Sequence, residues 1–117
     1  RNGASWGLAF AWHREGGLAG FCDDLTAYVS GQLYAVSCKS GASENLGQRR
    51  LSAEELQQLY AWIDELAPFE YIQDDGDVDD AMKVTLVFSG AGSAEADEDT
   101  QQAILAFAAD LYAGMSQ

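Results

Sequence analysis

His13 to Cys22 reads HREGGLAGFC, and this stretch gathers most of the residue types that could do chemistry. It holds the chain's one histidine, an arginine, a glutamate, three glycines within five positions and a cysteine. A phosphate-cradling loop needs glycines that lead from a strand into a helix N-terminus, usually with a lysine. Here GGLAG has no lysine and runs into strand-like sequence, so nucleotide binding is not expected. Two readings remain. The glycines can make a bend between strands, because they accept backbone conformations closed to other residues. Alternatively, Arg14, Glu15, Gly16, Gly17 and Leu18 can form an exposed contact loop with Leu18 as its apolar tip.

Other candidates are weaker. A hydrolytic triad would set His13 beside a serine or cysteine nucleophile and a carboxylate. Serines are plentiful, but His13 is expected as a surface or cross-strand residue. DDGDVDD, residues 74 to 80, packs five aspartates around one glycine. Hard cations take several carboxylate oxygens, but the glutamate that closes an EF-hand loop is missing at its offset. A solvated acidic loop is expected there. Cys22 and Cys38 have no further cysteine at zinc-ligand spacing. Trp6, Trp12 and Trp62 fall at strand and helix spacings that suit a core. The expectation is a protein that is not an enzyme, with no catalytic residues, no metal and no cofactor.

Charge narrows the partners. Nineteen acidic and six basic residues give a formal net charge of −13. Phosphate backbones require clustered lysine and arginine, so nucleic acid is excluded as a partner. No apolar run approaches the roughly 18 residues of a membrane-spanning helix. The chain opens on Arg1, as a mature or trimmed fragment would, so a targeting segment is expected to have been removed.

The elements that must position these residues read clearly in places. At 117 residues a single domain, 1–117, is expected. SWGLAFAW alternates Trp6, Leu8, Phe10 and Trp12 with small or polar residues, the period of a half-buried strand. FCDDLTAYVSGQLYAVSCKS reads as a hairpin, with Leu25, Ala27, Leu33 and Ala35 on one face and Gly31 in the turn. Residues 40–50 read as a loop. LSAEELQQLYAWIDELAP is a helix: Ser52 and Glu55 form a capping box, Leu51 and Leu56 a staple, and Pro68 follows the end. EYIQDDGDVDDA reads as an acidic loop, AMKVTLVFSG as a strand, and residues 94–96 as a short returning strand. Asp97 can cap a last helix whose stripe is Ile104, Phe107, Ala108, Leu111 and Met115. The expected fold class is α+β: an antiparallel sheet of about five strands with two helices packed on one face.

The hairpin register decides the cysteines. If Val29, Ser30 and Gly31 form a three-residue loop, Tyr28 faces Gln32 and Cys22 faces Cys38 on the same side of the sheet. Directly opposed Cα atoms lie roughly 4.5–5.5 Å apart, within reach of a disulfide. A two-residue Ser30–Gly31 turn would put the cysteines on opposite faces. A disulfide is the expectation, and it implies an oxidising, extracytoplasmic compartment.

FAWHREGGLAGF resembles emfourin, a small protein inhibitor of thermolysin-like metallopeptidases. That family begins with a strand ending in a similar Arg-Glu-Gly-Gly-Leu run, followed later by a helix like Ser52 to Leu66. The layout is also similar to that of bacterial secreted proteins and lipoproteins. The cysteine pair and the acidic loop depart from the emfourin pattern. The resemblance implies a secreted, periplasmic or lipid-anchored binding domain with an unknown protein partner, a metallopeptidase being one candidate. Its contact loop would be Arg14 to Leu18. The alternative is a structural or envelope-associated module.

Overall fold

A computed structural model of the chain describes residues 7–17, 20–38, 42–74 and 82–115. Its elements are β1 (Leu8–Gly16), β2 (Phe21–Tyr28), β3 (Gln32–Ser37), β4 (Glu44–Arg50), α1 (Ala53–Glu65), β5 (Phe69–Asp74), β6 (Met82–Phe88) and α2 (Glu98–Met115). The strands make one sheet of six, ordered β4-β3-β2-β1-β6-β5, with every neighbouring pair antiparallel.

The β2–β3 hairpin turns at Val29 to Gly31. Gly31 takes φ +96°, and its N–H donates to the Tyr28 carbonyl at 2.8 Å. Leu25 therefore faces Ala35 and Ala27 faces Leu33, the register of the three-residue turn. All four side chains are buried. A Cβ at Gly31 would meet Leu56 of α1, so the turn also seats the first helix. Tyr60 of α1 donates from its hydroxyl to the Val29 carbonyl at 2.7 Å.

Ser52 and Glu55 close the capping box of α1 from both sides. Asp97 accepts the Thr100 N–H at 2.8 Å at the start of α2. That bond holds its carboxyl below the usual carboxylate range. Both helices lie over one face of the sheet. Phe107 of α2 meets Phe10 edge-on at 6.4 Å, Tyr112 meets Trp12 at 5.5 Å, and Trp62 of α1 meets Phe107 at 5.2 Å. The buried side chains of sheet and helices form one continuous cluster. Among the described residues, no helix lies on the other face of the sheet.

Several details differ from the sequence reading. The sheet has six strands rather than five. Residues read as a loop form the edge strand β4, whose side chains are nearly all exposed. An edge strand is specified by backbone pairing, so it needs no apolar alternation. Phe69–Asp74, which overlaps the expected acidic loop from Glu70 onward, forms the other edge, β5. The expected strand at 94–96 is a single bridge between Ala94 and Leu66. Its backbone instead serves the end of α1: Ala91, Gly92 and Ala94 donate to the carbonyls of Ile63, Leu66 and Glu65. Leu8 does not share the face of Phe10 and Trp12. A bulge between Leu8 and Phe10 shifts the register, so Leu8 pairs with Tyr28 and is exposed.

Candidate functional site

The glycine stretch joins β1 to β2. Gly16 faces Phe21 at the last rung. Gly16, Gly17 and Gly20 all have positive φ, at 89°, 75° and 66°. The Gly20 N–H closes the turn onto the Gly17 carbonyl at 3.1 Å. The bend reading thus accounts for the glycines. Leu18, the expected tip, lies outside the described residues. The same end of the sheet carries the ends of β3 and β4 at Ser37 and Glu44, and of β5 and β6 at Asp74 and Met82.

Arg14 and Glu15 point to opposite faces of β1. Arg14 turns under the helices and donates from Nε and Nη2 to Oδ2 of Asp23, at 2.9 and 2.8 Å. Its guanidinium also stands 4.1 Å from the Phe21 ring centroid and 5.1 Å from that of Trp12. Asp23 is the one buried charged residue among those described, with its side chain 6% exposed. Its second oxygen, Oδ1, accepts the Tyr112 hydroxyl at 2.9 Å. Burial and the bond to Asp23 push the Tyr112 hydroxyl up to about 12, while Ser37 acts in the opposite sense. Tyr112 therefore stays a neutral donor at physiological pH.

These groups border an open cleft of about 340 Å³ at the turn end of the sheet. Phe21 and Leu46 supply its apolar walls, and Ser37, Glu44 and Tyr112 its polar ones, with the Arg14–Asp23 pair at its floor. A concave site with a few convergent polar groups is the usual form of a binding pocket.

His13 lies on the uncovered face. Its Nδ1 is 2.6 Å from Oδ1 of Asp24, the residue directly opposite on β2, and its Nε2 is 3.6 Å from Glu15. It is the cross-strand residue the sequence reading expected. Among the described residues, no three histidine, cysteine or acidic side chains are grouped to hold a metal ion. Asp74 ends β5, and the remaining aspartates of the acidic loop lie outside the described residues. Trp12 and Trp62 pack in or against the core, and Trp6 lies outside the described residues.

Cys22 and Cys38 form a disulfide, with Cα atoms 5.0 Å apart. The Cys38 N–H donates to the Cys22 carbonyl at 2.8 Å, which continues the hairpin's ladder one rung beyond Asp23 and Ser37. The bond thus clamps β2 to β3 beside the cleft.

Sequence reasoning passed over Asp23, Ser37, Glu44 and Tyr112. One signal was present: Asp23 shares the alternation of Leu25 and Ala27, which puts an ionisable group in a core-facing position. Such a group must find partners, and Arg14 is its direct neighbour across the turn.

Among the described residues no helix is long and apolar enough to cross a membrane. No protein-family model matches the chain, and comparison with curated proteins and with solved structures likewise gives no match.

Proposed function

We propose that the chain is an extracytoplasmic, non-enzymatic binding domain that meets a protein partner through the sheet end bearing the β1–β2 turn, and acts as a peptidase inhibitor. One observation carries this reading: the stem of the turn is braced on both sides. Arg14 and Asp23 tie β1 to β2 with two charge-assisted hydrogen bonds, and Cys22–Cys38 ties β2 to β3. A stem held in this way loses little conformational freedom on binding, so contacts made from it are realised as affinity. The same rigidity would let a loop occupy a protease cleft without being cut. The disulfide supports the extracytoplasmic assignment.

The test is inhibition of thermolysin-like peptidases by the intact domain at micromolar concentration. Leu18→Asp should abolish inhibition and leave the far-ultraviolet circular dichroism unchanged. If no such enzyme is slowed by the wild-type protein, the inhibitor reading falls.

A second reading, a structural or envelope-associated module, draws on a different observation. Leu8, Tyr34, Ile72 and Val87 are exposed, and by register all four stand on the helix-free face of the sheet. Labelling of that face by a photoreactive leucine analogue in cells, with none at the turn, would favour this reading.

A further inference from the structure

We infer that the cleft beside the Asp23–Arg14 pair receives one basic side chain, lysine or arginine, of the protein partner; this rests on the binding-domain reading above and deepens it. The cleft, about 340 Å³, is at the lower end of the range of small-ligand pockets, which run from about 300 to 1,000 Å³. That suits a single side chain.

The direction of the hydrogen bonds sets the chemistry. Arg14 spends Nε and Nη2 on Asp23, so its charge is matched within the protein. Tyr112 gives its proton to Asp23 and so turns lone pairs, not a donor, to other neighbours. Glu44 lines the cleft and makes no ion pair among the described residues. Among the described residues, the charge of the lining left unmatched for a guest is therefore the Glu44 carboxylate. Ammonium and guanidinium groups carry donors and no acceptor, and they complement such a lining. Phe21 and Leu46 offer apolar walls along which a methylene stem can lie while its charged head meets Glu44. An anionic guest would instead meet the Glu44 carboxylate with Arg14 already neutralised. The net charge of −13 acts in the same direction by drawing cations to the surface.

The experiment is a ¹⁵N-edited NMR titration of the oxidised protein with N-acetyl-lysinamide, its uncharged counterpart N-acetyl-norleucinamide, and spermidine. The lysine probe should shift the amides of Phe21, Ser37 and Leu46 saturably, and the norleucine probe should not. Glu44→Gln, on an exposed edge strand, should weaken binding about fivefold, the effect of losing one solvent-exposed charge pair. Leu46→Trp, which fills the cleft without changing charge, should abolish it. Equal binding of the norleucine probe, wild-type affinity in both variants, or shifts scattered over the acidic surface would overturn the proposal. Spermidine saturating the same cleft tenfold more tightly would assign it to a free polyamine and overturn the side-chain assignment. Peptidase inhibition does not enter this measurement. Failure to inhibit leaves the cleft's chemistry standing, and failure to bind the probe leaves the turn's contact role standing.

Discussion

Tyr112, near the end of the last helix, donates a 2.9 Å hydrogen bond to Oδ1 of Asp23, a residue 89 positions earlier on β2. Both residues are 4% exposed. The bond joins the helix layer to the sheet at the floor of the cleft. It also completes the satisfaction of a buried carboxylate, since Arg14 covers the other oxygen. A buried charge is tolerated when its lone pairs are met in this way, and it becomes costly when one partner is removed.

Tyr112→Phe removes one donor and leaves Oδ1 of Asp23 buried without it. The expected cost is about 1–3 kcal/mol of unfolding free energy, measured by urea denaturation at pH 7. The pH dependence follows from the raised pKa. Burial and the bond to Asp23 push the Tyr112 hydroxyl from its ordinary 10.0 up to about 12 in the folded protein. A folded-state pKa above the unfolded one means that the native state holds the proton more tightly. This contribution is complete below about pH 10 and is lost as pH rises toward 12. Wild-type stability should therefore fall more steeply than that of Tyr112→Phe between pH 10 and 12.

Arg14→Met strands the Asp23 carboxylate with a single donor. Breaking a buried pair by removing one partner costs about 3–5 kcal/mol. The triple variant Arg14→Met, Asp23→Leu, Tyr112→Phe removes the whole network and replaces it with apolar groups. It should be more stable than Arg14→Met alone, because no uncompensated charge remains. Calorimetry on the two variants checks the order, and the reverse order would mean that packing of the guanidinium on Phe21 and Trp12 outweighs its pairing.

Gly90 and Gly92 make a sharper comparison with Gly114. A Cβ on Gly90 would fall on the Leu66 carbonyl, and one on Gly92 on the Glu65 carbonyl, backbone atoms that cannot swing aside. Either alanine substitution should separate the 90–94 segment from α1 and lower the melting temperature sharply. Gly114 lies in α2 with nothing within 4 Å of a new Cβ. Gly114→Ala should raise stability by roughly 0.5–1 kcal/mol, the helix-propensity gain. Thermal melts of the three single variants decide it.

How much of this was legible in the sequence differs from element to element. The alternation from Leu25 to Ala35 and the Ser52–Glu55 box are local patterns, and the hairpin and α1 follow from them directly. β4 was hidden because an exposed edge strand obeys no burial pattern, and Gly47, Gln48, Arg49 and Arg50 resemble a loop. β5 was hidden by the aspartates that follow it. Leu8 was misplaced because a bulge breaks the period of two on which the strand reading depends. The Arg14–Asp23 half of the site is a short-range consequence of the β1–β2 turn, and the alternation around Asp23 pointed to it. Tyr112 was not legible in this way. It falls outside the stripe Ile104, Phe107, Ala108, Leu111 and Met115 expected for α2, and only tertiary packing sets its hydroxyl on a strand 89 residues away.

The disulfide gives the last prediction. The native protein should show no alkylatable thiol and a mass lower than the reduced form by two hydrogens, because Cys22 and Cys38 are joined. The bond closes a loop with a sequence separation of 16, which in the chain-entropy model contributes about 3 kcal/mol. The double variant Cys22→Ser, Cys38→Ser should lose about that much stability. The loss should also be local in its structural effect. Asp23 follows Cys22 and Ser37 precedes Cys38, so the clamp sits beside two of the cleft's polar residues. At the far end of the hairpin, Ala27 and Leu33 are held by the turn, by Leu56 and by Tyr60 instead. Hydrogen exchange should therefore accelerate in the variant at Asp24 and Val36, the first hydrogen-bonded pair inside the clamp, and remain slow at Thr26 and Tyr34. Unchanged exchange at Asp24 and Val36 would show that the Arg14 and Tyr112 bonds hold this end of the sheet without the disulfide.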